Sequence, residues 1–106
     1  MHYQIVCYVP NEHVELVKSA MFAAGAGRFR GYRHCCWQTG GYGQFLPEDG
    51  SLPHIGSVGE TAVVEEVKLE VFCDQSVVTE VVDALKNAHP YEVPAFAVLK
   101  NEMDVC

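Results

Sequence analysis

The sequence predicts an α+β fold of the split βαβ, ferredoxin-like kind, with the order strand, helix, strand, strand, helix, strand. Three observations predict it. Two stretches, after Asn11 and after Ser76, carry apolar residues at helical spacing along one face. Each follows a β-branched or aromatic run that reads as a strand. A Gly- and Pro-rich stretch over 39–61, without helical period, separates the two halves. The 106 residues suffice for one domain, 1–106, and are too few for two.

Residues 3–9, Tyr-Gln-Ile-Val-Cys-Tyr-Val, form the first expected strand, closed by Pro10. Asn11 is the expected N-cap of the first helix, and Glu12 and Glu15 place negative charge where the helix dipole favours it. Val14, Val17, Met21 and Ala24 make its apolar face, and Gly25 supplies a left-handed C′ residue. Aromatic and thiol residues over 32–38 predict the second strand. The following stretch, 39–61, reads as a long loop with strand pairing around 42–46 and turns at 47–50; a loop of this length belongs to a binding site, an interface or a mobile segment.

Over 63–73 the pattern becomes period two: Val67, Leu69 and Val71 point one way, Lys68, Glu70 and Phe72 the other. Asp74 and Ser76 offer caps for the second helix, whose apolar face is Val77 or Val78, Val81, Val82 and Leu85. Lys86 suits its last turn and His89-Pro90 stops it. Residues 93–99 predict a last short strand, and 100–106 a polar tail. In this plan two helices cover one face of the sheet and nothing covers the other, so apolar residues there need a partner.

Seven Lys and Arg against fourteen Asp and Glu give a net charge of −7, which argues against a nucleic-acid partner and against an anionic membrane surface. No apolar run approaches the roughly 20 residues of a spanning helix. The five cysteines are odd in number, Cys35 and Cys36 are adjacent, and no Cys-x-x-Cys pair exists, so neither a disulfide scaffold nor a zinc ribbon is expected. The start, Met1-His2-Tyr3-Gln4, has no signal-peptide core, so we expect a cytoplasmic location and free thiols.

Four groups of residues invite chemistry. Gly25-Ala26-Gly27-Arg28-Phe29-Arg30-Gly31 combines backbone amides with two cations and could hold an anion or phosphate. It follows a helix rather than preceding one, so the plain alternative is a helix-to-strand connection. His34-Cys35-Cys36, with His54, could hold copper or zinc through imidazole and thiolate. On a strand His34 and Cys36 share one side and Cys35 takes the other, so at most two of the three join one site; buried thiols and a surface His are the plain alternative. The run 89–94 reads as proline-framed architecture, and Glu60, Glu65, Glu66 and Glu70 as a solvated strand face.

Longer strings carry a resemblance. Pro10-Asn11-Glu12-His13-Val14, Gly25-Ala26-Gly27-Arg28, Cys36-Trp37, Gly43-Gln44-Phe45, Pro53-His54-Ile55-Gly56, Gly59-Glu60, Val64-Glu65-Glu66-Val67 and His89-Pro90-Tyr91-Glu92-Val93-Pro94 resemble the YqfO-type domain. That domain is an insertion in some members of the Nif-three-like (Ngg-one-interacting-factor-three-like) dinuclear-metal family. The similarity runs through nearly the whole chain in order, and the last string also resembles the end of CutA, the divalent-cation-tolerance protein.

The resemblance implies a CutA-like, PII-like ferredoxin fold, a homo-oligomer with a trimer favoured, and an inserted domain standing alone. It does not imply enzyme activity, because the family's two-metal site is built from residues of its flanking domains. The expected function is a non-enzymatic oligomeric binding or regulatory module that takes a small anionic ligand or a partner at subunit clefts. Gly25, Gly27, Arg28 and Arg30 are its expected contacts, with Tyr42, Phe45 and His54 from the long loop. One alternative is a divalent or copper ion bound as in CutA, through His34, Cys35, Cys36 and His54. Another is a hydrolase at an inter-subunit cleft, for which no catalytic residue stands out.

Overall fold

The computed structural model describes residues 2–102. Strands β1 (His2–Pro10), β2 (Trp37–Phe45), β3 (Ala62–Asp74) and β4 (Phe96–Lys100) form one antiparallel sheet in the order β2-β3-β1-β4. Helices α1 (Val14–Ala23) and α2 (Val78–Ala88) pack on one face of it. This is the expected split βαβ order, each crossover spanning one intervening strand. Among the described residues no helix is long and apolar enough to cross a membrane.

Register decides what the core contains. Ile5 faces Val71 and Val98, and Cys7 faces Leu69 and Phe96, so alternate residues of the two central strands share one face. Ile5, Cys7, Val9, Leu69 and Val71 are buried there against Val17 and Met21 of α1 and Val81 and Leu85 of α2. Each fully buried aliphatic side chain contributes about 1.5–3 kcal/mol. The opposite face carries Gln4, Tyr8, Lys68, Glu70, Phe72, Trp37 and Leu99. Tyr8, Phe72, Leu99 and Trp37 keep 41, 48, 51 and 67% of their surface exposed, so no helix covers this side.

The helix ends follow from local chemistry. Gly25, at φ 112°, closes α1: its N–H bonds the Phe22 carbonyl at 3.0 Å and the Ala26 N–H bonds the Met21 carbonyl at 3.1 Å, a Schellman arrangement. Asp74 caps as expected, its Oδ2 accepting from the Ser76 N–H at 3.0 Å and the Ser76 hydroxyl at 2.7 Å. Asn11 does not cap. A 3-10 turn over Asn11–His13 carries it past the cap position, and its amide donates to Glu65 Oε2 at 3.1 Å instead. His89 takes an extended conformation before Pro90 and ends α2.

The second strand lies further along than expected. It occupies Trp37–Phe45, and Gly40, Gly41 and Gly43 are ladder residues opposite Val67, Glu66 and Val64. Segment 28–36 holds a tight turn instead, with Phe29 and Tyr32 paired around Arg30-Gly31. The connecting loop is correspondingly shorter, 46–61. β4 begins at Phe96, after Pro94, which has no N–H to offer a ladder. The end of the expected polar tail, 103–106, lies outside the described residues.

Candidate functional site

Loop 46–61 and the proline-framed segment after α2 fold over part of the uncovered face and border an open-sided cavity of about 700 Å³. Its floor is sheet: Tyr8, Gly41, Gly43, Phe45, Glu66 and Lys68. Pro47, Pro53, His54, Tyr91 and Val93 line the rest. The Leu52 N–H donates to Glu92 Oε1 at 3.1 Å and joins the loop to the segment after α2, while the Gly59 N–H donates to the Pro47 carbonyl at 2.8 Å and closes the loop's base.

Glu66 is the centre of this arrangement. Its place in β3 matches the expected parity, but it is only 8% exposed and not part of a solvated face. The Tyr91 hydroxyl donates to its Oε2 at 2.8 Å. On the other side its carboxylate lies against Gly43, where a Cβ would collide with Oε1, so the strand needs glycine at that point. Burial, and then the bond to Glu66, raise the Tyr91 phenol above its ordinary value, which keeps the hydroxyl a donor.

His89 fastens Tyr91. Its Nδ1 accepts from the Tyr91 N–H at 3.1 Å, so its Nε2 carries the proton and donates to the Tyr8 carbonyl at 2.7 Å. That carbonyl lies beyond the last residue of β1 that β4 pairs, and the buried imidazole satisfies it. Burial lowers the His89 pKa and favours this neutral tautomer, against the opposing pull of the Tyr8 carbonyl and the Glu66 charge. Around Tyr91 the ring centroids of His89, Phe45 and His54 lie at 4.9, 5.7 and 6.3 Å, and His13 meets His54 edge-on at 5.5 Å. The His13 Nδ1 is buried without a partner among the described residues.

No family model matches the chain. The chain is 48% identical over 93 residues to the GTP cyclohydrolase 1 type 2 homolog of Mycobacterium tuberculosis, a match covering 88% of this chain and 24% of that protein. The Bacillus subtilis homolog of the same name is 42% identical over 95 residues, covering 90% and 26% respectively. A solved Bacillus cereus protein related to NIF3 superposes with a TM-score of 0.82 at 34% identity, over 96% of this chain and 26% of that one. The likeness is to one region of proteins of the Nif-three-like (NIF3/YqfO) family, and it runs through nearly the whole of this chain. The chain spans about a quarter of the length of the curated relatives it matches.

The periplasmic divalent cation tolerance protein CutA of Archaeoglobus fulgidus superposes with this chain at a TM-score of 0.72 and 20% identity, over 99% of this chain and 88% of that one. Bacillus subtilis GlnK does so at 0.62 and 15%, over 95% and 85%. These two share the fold, so the CutA-like, PII-like expectation holds at the level of architecture.

The residues singled out in the sequence fall in two places. Phe45, His54 and Tyr42 all border the cavity. Tyr42 differs from the other two in strand parity: its register partner is Glu65, so it reaches the cavity's rim from a position opposite in parity to Glu66. Arg28 and His34 line a different cleft, beside α1. Gly25 and Gly27 shape the chain just after α1, and Arg30 sits at the tip of the tight turn with its guanidinium 6.0 Å from the Phe29 ring.

His34 stacks on Phe22 at 4.8 Å, Cys36 packs partly buried against the core, and Cys35 is exposed. His54 is therefore apart from the other three expected metal ligands, and among the described residues no three His, Cys, Asp or Glu side chains are grouped to hold a metal ion. Sequence reading missed His13, Glu66, His89 and Tyr91 as site residues. The available signal was a Glu-Glu pair on a strand facing a glycine-rich partner, together with an aromatic framed by two prolines.

Proposed function

We propose that this YqfO-type domain is a non-enzymatic binding or regulatory module that takes a small ligand in the cavity over Glu66 and works as a cytoplasmic homo-oligomer. The observation that carries this reading is a buried carboxylate in an aromatic cavity, held by Tyr91 on one oxygen and backed by Gly43 on the other. A carboxylate kept out of bulk water calls for donors, so the ligand is one that presents N–H or O–H groups. The rings of Phe45, His54 and Tyr91 favour a planar body.

An anion suits this cavity less well than a donor-bearing ligand, because Glu66 and Glu92 lie there with Lys68 as the counter-charge. The cyclohydrolase activity for which these relatives are named belongs to proteins of which this chain spans about a quarter, and it forms no part of this proposal. Oligomer formation is supported by the apolar residues on the uncovered face, and the CutA-like, PII-like resemblance favours a trimer. A second reading, a divalent or copper ion, is supported by the adjacent His13 and His54 rings and the unpartnered His13 Nδ1; it needs further ligands from a second protomer.

Thermal-shift titration with guanine, hypoxanthine and uracil tests the cavity, each probe presenting ring N–H groups on a planar body. A concentration-dependent rise in melting temperature that Glu66→Gln abolishes supports the reading. Absence of any shift, or a shift that survives Glu66→Gln, overturns it.

A further inference from the structure

Arg28, Arg30 and Arg33 fall within six residues of a chain that carries fourteen acidic and seven basic side chains. Arg28 and Arg33 line a cleft of about 500 Å³ with Lys18, Ser19 and Phe22 of α1 and with His34. The one acidic residue lining it, Glu15, is already engaged: Lys18 donates to Glu15 Oε2 at 3.1 Å, and also to Gln38 Oε1 at 3.0 Å. Among the described residues neither Arg28 nor Arg33 pairs with a carboxylate.

The cleft is held by the backbone. Gly27 has φ 76°, and a Cβ there would meet the Cys35 carbonyl at 2.8 Å and the Cys35 nitrogen at 2.9 Å. The Cys35 N–H donates to the Gly27 carbonyl at 2.8 Å and the Gly27 N–H to the Phe72 carbonyl at 2.9 Å, closing the loop at its base and fixing it to the sheet. Within the loop, Phe29 and Tyr32 exchange both backbone hydrogen bonds, at 2.9 and 2.8 Å, around Arg30-Gly31. Both turn residues have positive φ, 41° and 86°, as a type I′ turn requires. His34 is held at φ 59° with its ring flat on Phe22, tilted by only 11°. Two non-glycine residues in the left-handed region mark a loop whose shape is imposed by its surroundings.

We infer that this cleft is a phosphate-class oxyanion site, separate from the cavity over Glu66 and formed by Arg28, Arg33, Lys18 and His34. Arg28 and Arg33 line one concave surface without a carboxylate partner, beside the Lys18–Glu15 pair, and a multiply charged oxyanion between them replaces their mutual repulsion with attraction. Guanidinium forks match phosphate oxygens in pairs, and the Ser19 hydroxyl and the His34 ring N–H add further donors. The cleft's volume and its setting against one helix suit a phosphorylated small molecule. No residue lining it also lines the larger cavity, so this site stands whether or not that one binds a ligand.

The test is titration of the whole chain with inorganic pyrophosphate, followed by two-dimensional amide NMR and calorimetry at low salt. We expect saturable shifts at Ser19, Arg28, Arg33 and His34, and an affinity that falls as salt rises. Arg28→Gln and Arg33→Gln should each weaken binding at least about tenfold, as loss of a charge-assisted pair implies. Both side chains are exposed, so both variants should keep the parent melting temperature.

Arg30→Gln, at the turn tip and outside the cleft, should bind as the parent does, and so should Glu66→Gln. Unsaturable shifts, or equal weakening by Arg30→Gln, would mean diffuse charge attraction and overturn the site. A single-stranded oligonucleotide that binds more tightly than pyrophosphate would replace the small-molecule assignment with a nucleic-acid one.

Discussion

The Tyr91 hydroxyl and Glu66 Oε2 are 2.8 Å apart, and that bond joins the two halves of the cavity. β3 brings the carboxylate, the turn after α2 brings the phenol, and Gly43 on β2 leaves room for the second oxygen. His89 then fixes the backbone of Tyr91 from one side and the carbonyl of Tyr8 from the other. Four separate stretches of sequence thus meet around one buried charge, and each has a reason to keep its residue type.

Tyr91→Phe removes the donor and leaves Oε2 buried with its acceptor unmet. We expect a loss of about 1–3 kcal/mol in urea unfolding, the usual cost of an unsatisfied buried group. Starting instead from Glu66→Gln, Tyr91→Phe should cost measurably less, giving a coupling of about 0.5 kcal/mol or more in a double-mutant cycle. Equal costs in both backgrounds would show that the two side chains act independently.

Gly43→Ala should destabilise by about 1–3 kcal/mol, because the new methyl must displace the Glu66 carboxylate. Gly40→Ala, on the same strand and with open space at its Cβ, should stay within about 0.5 kcal/mol of the parent. Chemical denaturation of the two variants side by side decides this. Matching losses would put the effect in strand propensity and not in the contact with Glu66.

Trp37 and Phe72 stand exposed on the uncovered face, so a homo-oligomer built on that face should not survive charge there. Trp37→Glu with Phe72→Glu should convert the parent assembly to monomer in native mass spectrometry, with the helical circular dichroism retained. An unchanged assembly would exclude this face as the interface, and a monomeric parent would remove the oligomer from the proposed function.

Much of this architecture was legible because it is local. Period-two alternation over Val67, Leu69 and Val71 identified β3 and its inner face, and helical spacing identified Val81 and Leu85 as the buried side of α2. β2 was misplaced for a tertiary reason. Its glycines read as turn residues, yet they sit in a ladder, and Gly43 is required by a carboxylate from the neighbouring strand. Parity also put Glu66 on the correct face, but what buries it arrives from 46–61 and from Tyr91, and periodicity carries no information about either. Arg28 stands out in the sequence beside its glycines, whereas its neighbours in the cleft, Lys18 and Arg33, do not, since they come together only after Gly27 has turned the chain.

The described cysteines should divide sharply in reactivity. Burial pushes the Cys7 thiol up to about 12, and burial together with the charge of Asp74 raises Cys73, so neither supplies thiolate near neutral pH. Cys35 is exposed. Maleimide labelling of the native protein followed by peptide mapping should find Cys35 modified first, with Cys7 and Cys73 modified only after urea is added. Rapid native labelling of Cys7 would mean that β1 opens far more readily than a central strand should.

Stability should fall on acidification through His89. Its folded pKa lies below the ordinary 6.5, because burial disfavours the imidazolium. Below that ordinary value the unfolded chain takes up a proton that the folded chain refuses, so the unfolded state binds more protons and gains. The contribution is fully present above about pH 7 and is lost as pH drops through the folded pKa, where protonation also removes the Nδ1 acceptor that Tyr91 uses. His89→Gln keeps a donor for the Tyr8 carbonyl but cannot titrate. Urea unfolding between about pH 7.5 and about pH 5 should therefore show a steeper loss for the parent than for His89→Gln. Parallel pH profiles would assign the acid sensitivity to other groups and leave His89 a purely structural hydrogen-bonding residue.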